Sequence, residues 1–229
     1  MSATGAETVI TVQGAAWSDL QPEQCILRFT IATDGPERAP VLERATAALD
    51  AVSATIAAMH DPDAGPVTRW SADRVQVSTQ RPWTNDGTQL PLVHHASVSG
   101  LAVVSDVQAV ADLVDALGAH ETASIDSLGW SLTDARLDLE RSEVRTRAVA
   151  DALAKAEVLA AAIGLGSVTA VALADPGMLD GGGSGGGPSP HMEKAMMMAM
   201  DARSGGGGLS LRPELIRVEA AVDARFTAR

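Results

Sequence analysis

The residues best equipped for chemistry crowd into one ten-residue stretch, where His191 stands beside Met192, Met196, Met197, Met198 and Met200. Thioether sulfur and imidazole are soft ligands, and together they suit Cu(I). The same side chains also make an adaptable apolar surface, because methionine is unbranched and polarisable and packs against irregular partners. No ligand-spacing rule is met, so packing against another subunit is the preferred reading. These six residues are the candidate metal ligands, and no cofactor is assigned.

The other reactive side chains are scattered. His94 and His95 are adjacent on an expected strand, so they point to opposite faces and cannot share one ion. His60 closes an expected helix and His120 sits in an expected loop. Neither has the partner that an HExxH arrangement supplies. Cys25 lies among apolar neighbours, which favours an inert buried thiol over a nucleophile. No GxSxG elbow surrounds any serine. The glycines from Gly181 to Gly187 lack the Lys-Ser/Thr of a phosphate loop. Asp61, Asp63 and Asp175 read as turn residues and do not match a calcium loop. The sequence names no catalytic residue, and the expectation is a protein that is not an enzyme.

Composition narrows the classes. The chain has 229 residues, 46% of them hydrophobic, which supplies a sizeable core. With four Trp, two Phe and no Tyr, that core must rest on Val, Leu, Ile and Ala. Alanine removes little apolar area, so it works where backbones approach closely. Helices lying tight against a sheet are therefore expected. A net charge of -12 without a basic run argues against nucleic-acid partners and against anionic membrane surfaces. The single cysteine precludes an intrachain disulfide. Residues 1–8 show no secretory leader, and no stretch reaches the ~20 apolar residues that span a bilayer, so a cytoplasmic location is the expectation.

The elements that would carry these residues follow from periodicity. Residues 8–13 read as a short strand. Residues 24–33 alternate, with Cys25, Leu27, Phe29 and Ile31 on one face. Asp34-Gly35-Pro36 opens a helix whose stripe is Leu42, Ala45, Leu49, Val52, Ile56 and Met59. A strand over 74–80 turns through Asn85-Asp86-Gly87 into a strand over 92–104, where Gly100 marks a bulge. Asp106 caps a short helix with Val107, Val110, Val114 and Leu117 inward, and Gly118 closes it. After a strand over 124–132, Thr133 caps a long helix. Val144, Ala148, Ala152, Leu159 and Ile163 share its apolar side, and Glu143–Arg147 and Asp151–Lys155 are surface pairs. Gly164 ends that helix, and 168–174 is a further strand. The last strand runs to the C-terminus, with Ile216, Val218, Ala220, Val222, Ala224 and Phe226 on one face. This order predicts an α+β fold: mostly antiparallel sheet with three main helices packed on it. One domain spans 1–229, or two closely joined lobes, with 176–212 as a Gly/Pro/Met-rich insertion.

Several blocks, in order, resemble the SIMPL-domain family, a bacterial family related to oligomeric periplasmic immunogenic proteins. They are Ile10-Thr11-Val12-Gln13-Gly14 with Pro22-Glu23; Ala96-Ser97 with Val103-Val104-Ser105-Asp106; the long helix through Gly164-Leu165-Gly166; and Arg212-Pro213-Glu214 with the final strand. Ala16, His94-His95, Leu153 and Glu214 depart from the usual residues of that pattern. The resemblance implies homo-oligomers, in some relatives ring- or channel-like, and a link to stress tolerance. It carries over no catalytic residues. The expected partner is a second copy of the chain, and the expected function is a self-assembling structural or interaction module. A Cu(I)-binding protein built on His191 and the methionines is the alternative.

Overall fold

The computed structural model describes residues 7–83, 89–179 and 212–229. In chain order the elements are β1 (Thr8–Leu20), β2 (Gln24–Gly35), α1 (Arg38–Ala57), β3 (Val67–Ala72), β4 (Gln76–Gln80), β5 (Val93–Val104), α2 (Val107–Gly118), β6 (Ala123–Ser131), α3 (Asp134–Ala162), β7 (Val168–Ala174) and β8 (Ile216–Ala228). The fold is α+β, with antiparallel pairing in both sheets. The chain divides into two compact units, which the matching of residues rather than chain continuity defines. The insertion expected over 176–212 falls almost wholly outside the described residues.

One unit holds a sheet in the order β3-β5-β2-β6, with β4 also on β5. The period-two pattern of β2 sends Cys25, Leu27, Phe29 and Ile31 into a core shared with Val52 and Ile56 of α1 and Val110, Leu113 and Leu117 of α2. Strands β4 and β5 pair antiparallel as expected, with Gln80 opposite Val93 and Gln76 opposite Ser97, while the expected turn Asn85-Asp86-Gly87 lies outside the described residues. Gly100 does not mark a bulge. The β2–β5 register runs unbroken through Phe29–Gly100, and the Phe29 ring occupies the space a side chain at 100 would need. The glycine is there to admit the ring.

Three other readings shift. Asp34 and Gly35 extend β2, opposite His95 and His94, so α1 starts at Arg38 instead of Pro36. Val41 takes the place expected of Leu42, which is exposed, while Ala45, Val52 and Ile56 are buried and Leu49 and Met59 pack on the core as expected. In α2 the buried residues are Ala109, Val110, Leu113 and Leu117, and Val107 faces out. Asp106 does cap that helix, accepting from the Gln108 N–H at 3.1 Å. Strand β3 carries no strong alternation and was not legible; it forms because β5 offers it an edge.

The other unit is a sheet in the order β1-β8-β7 with α3 against it. Three side-chain contacts fix β1 and β8 as antiparallel: Glu7 with Arg229, Gln13 with Asp223 and Asp19 with Arg217. Along α3 the buried row is Glu140, Val144, Ala148, Ala152, Ala156 and Ala160. The row keeps a strict i,i+4 spacing, and from Ala148 onward its methyl side chains let helix and sheet backbones approach closely. Leu159 and Ile163, expected inside, are exposed on the helix flank. Gly164, at φ +79°, ends α3, and the Leu165 N–H returns to the Ala160 carbonyl at 2.9 Å.

Candidate functional site

The dispersed reactive residues stay dispersed. His94 bonds Thr79 Oγ1 through Nδ1 at 2.8 Å, and His60 Nδ1 donates to the Val67 carbonyl at 2.9 Å. His120 Nε2 meets Thr55 Oγ1 at 3.1 Å. Cys25 is fully buried, and that burial pushes its thiol up to about 11. Asp61 accepts the N–H groups of Asp63 and Ala64, which hold its carboxyl below the usual carboxylate range; it shapes a turn. Among the described residues no three of His, Cys, Asp and Glu converge on a metal-sized space. His191, Met192, Met196, Met197, Met198 and Met200 lie outside the described residues.

The most organised surface lies where α3 runs beside β1. Strand β1 is an edge of its sheet, so one side of its main chain has no strand partner among the described residues. On that side Arg147 donates to the Trp17 carbonyl at 3.1 Å, and Lys155 donates to the Gln13 carbonyl at 3.0 Å. Between them the Asp151 carboxylate accepts the Ala15 N–H at 2.8 Å and pairs with Lys155 at 2.6 Å. The Lys155 ammonium first, and the Ala15 N–H second, hold the Asp151 carboxyl below its ordinary range. Arg147 is in turn paired with the buried Glu140 at 3.6 Å, which Arg136 also meets at 3.4 Å. An exposed strand edge invites unwanted pairing, and charged side chains laid along it are a known guard.

The guard stops at Lys155. Beyond it Val12, Gln13, Ala154, Lys155, Val158 and Leu159 line an open groove of about 500 Å³. Its walls are almost entirely apolar. Val158, Leu159 and Ile163 are 68%, 48% and 59% exposed, and Val9 on the strand is 58% exposed. The outward face of the same sheet carries Val9 and an ion pair. Arg217 forks onto Asp19 at 2.8 and 2.9 Å and lies 5.9 Å from the Trp17 ring centre.

A model of the SIMPL family, described as protein of unknown function (DUF541), matches residues 10–226. The chain belongs to the SIMPL family. No curated protein matches it. In this SIMPL chain the block Ile10 to Gly14 lies against the long helix: Lys155 donates to the Gln13 carbonyl, and Gly14 packs on Ala148 and Ala152. The two sequence blocks of the resemblance thus meet in space.

Sequence reasoning found Asp151 and Lys155 as a helix pair and missed what they hold. It paired Arg147 with Glu143, whereas the structure gives Arg147 to Glu140 and Trp17. The signal was present: alanines at 148, 152, 156 and 160 mark the buried ridge, which puts 147, 151 and 155 on its flank. No helix of the described residues is long and apolar enough to cross a membrane.

Proposed function

We propose that this SIMPL-family chain is a self-assembling structural or interaction module. The observation that carries the reading is the apolar flank of α3. Val158 and Leu159 expose branched side chains on α3 where they line the groove, and Ile163 exposes another just past the helix end. A cluster of large apolar residues left in water costs free energy that burial against a partner recovers, at about 25 cal/mol per Å². Strand β8 is the middle strand of its sheet among the described residues, so the edge on offer beside α3 is that of β1. Native mass spectrometry of the intact chain, with and without a chelator, tests the reading. Multiples of 23.5 kDa in both conditions support it. A single species at 23.5 kDa contradicts it.

A further inference from the structure

The charged row advances along α3 by four residues for every two of β1. Arg147 serves Trp17, Asp151 serves Ala15 and Lys155 serves Gln13. The steps match because four helical residues rise about 6 Å and two strand residues about 6.8 Å. Continued at the same spacing, the row would set Leu159 level with Thr11; Ile163, the step after it, lies just past the end of α3. Neither side chain can donate or accept. Alternate residues of a strand send their N–H and C=O to the same side, so Val9 and Thr11 present theirs at the edge that Gln13, Ala15 and Trp17 share. No described side chain bonds the main chain of Val9 or Thr11 there. The cover therefore ends where the strand is richest in β-branched residues, Thr8-Val9-Ile10-Thr11-Val12.

We propose that a second copy of this chain pairs its own β1 against this edge, antiparallel, with Val9 of one copy opposite Thr11 of the other. This placement rests on the self-assembly reading above. About a two-fold axis between the two Ile10 residues, the two Val9–Thr11 pairs satisfy the edge N–H and C=O groups of Val9 and Thr11. Gln13 of each copy keeps its own Lys155. A longer overlap would run into the charged row, which fixes the register. The axis is perpendicular to the sheet, so the two α3 helices come to lie side by side on one face. The exposed Leu159 and Ile163 of one copy then face those of the other.

Charge argues for the same occupant. The chain carries a net -12, so most faces of two copies repel. Residues 8–12 and 158–163 contain no ionisable side chain, and they are the two segments this arrangement brings together. The contact is isologous and closes on itself, which stops at a dimer across this edge.

The decisive variant is Leu159→Lys. It adds one step to the charged row and sets a donor beside Thr11. Position 159 is half exposed, so the fold is expected to survive, as circular dichroism will show. Two readouts apply to the intact chain: solution mass, and exchange of the Val9 and Thr11 amide hydrogens. The wild type is expected to assemble, with both amides exchanging about tenfold or more slowly when assembled than on dilution. Leu159→Lys is expected to lose that pairing and that protection. An assembled wild type whose Val9 and Thr11 amides exchange freely overturns the edge pairing while leaving self-assembly standing. Undiminished pairing in Leu159→Lys does the same. A monomeric wild type overturns both. A monomer with those two amides protected assigns the edge to another segment of the same chain, and also overturns the pairing. Should Leu159→Lys fail to fold, the wild-type amide comparison across dilution decides alone.

Discussion

Gly14 of β1 lies against the backbone of Ala148 in α3, so close that a Cβ at position 14 would overlap the Ala148 carbonyl oxygen and crowd the Ala152 methyl. Both partners are backbone or short side chain, and neither can swing aside. Small residues on both elements allow this approach, and the approach in turn lets Arg147, Asp151 and Lys155 reach the main chain of β1.

Gly14→Ala should therefore destabilise the chain by about 1–3 kcal/mol or more, as overpacking of a tight core does. Urea denaturation followed by circular dichroism measures it. A midpoint equal to the wild type would show that α3 can lift away from β1 without cost.

Gly100→Ala should act in the same direction, because the added methyl would enter the Phe29 ring. A loss of about 1–3 kcal/mol is expected, and Phe29→Leu in the same chain should restore part of it by vacating the ring's space. Additive losses in the double variant would contradict the contact.

Asp151 makes stability depend on acid. Its folded carboxyl titrates below the ordinary carboxylate range, so its contribution is full above the unfolded value of about 3.9 and is lost as pH falls through the lower folded value. Asp151→Asn removes the charge and keeps an acceptor for the Ala15 N–H. The gap in urea midpoint between wild type and Asp151→Asn should be steady from pH 7 to about pH 5 and should close below about pH 4. A gap that widens in acid would contradict the assignment.

Cys25 should resist modification. Its thiol is fully buried and is raised to about 11, so little thiolate forms at pH 8 and none is accessible. Ellman's reagent should label the native chain at pH 8 only at the rate of unfolding, and should label it at once in denaturant. Because the folded value lies above the unfolded one, this group stabilises the fold below about pH 8.5 and loses that effect as pH rises towards 11.

Much of the architecture was legible because single residues carried it. The alternation of Cys25, Leu27, Phe29 and Ile31, the cap at Asp106 and the stop at Gly164 each follow from local chemistry, and each forms. The stripe of α3 was read with a drift, because Leu159 and Ile163 are larger and more apolar than Ala156 and Ala160. Burial there is decided by closeness of approach, which selects the methyl groups. Strand β3 escaped notice because pairing with β5 makes it a strand, and that pairing is long-range. The candidate site was hidden for a related reason. A salt bridge between Asp151 and Lys155 is visible in sequence, but the strand edge it covers lies 136 residues away from Asp151.

The central claim is that copies of this chain bury the apolar flank of α3 against each other. The most direct measurement is sedimentation equilibrium of the wild-type chain over a hundredfold dilution. The account predicts a mass at or above twice 23.5 kDa that falls towards 23.5 kDa on dilution or stays high throughout. A mass of 23.5 kDa at every concentration would contradict it.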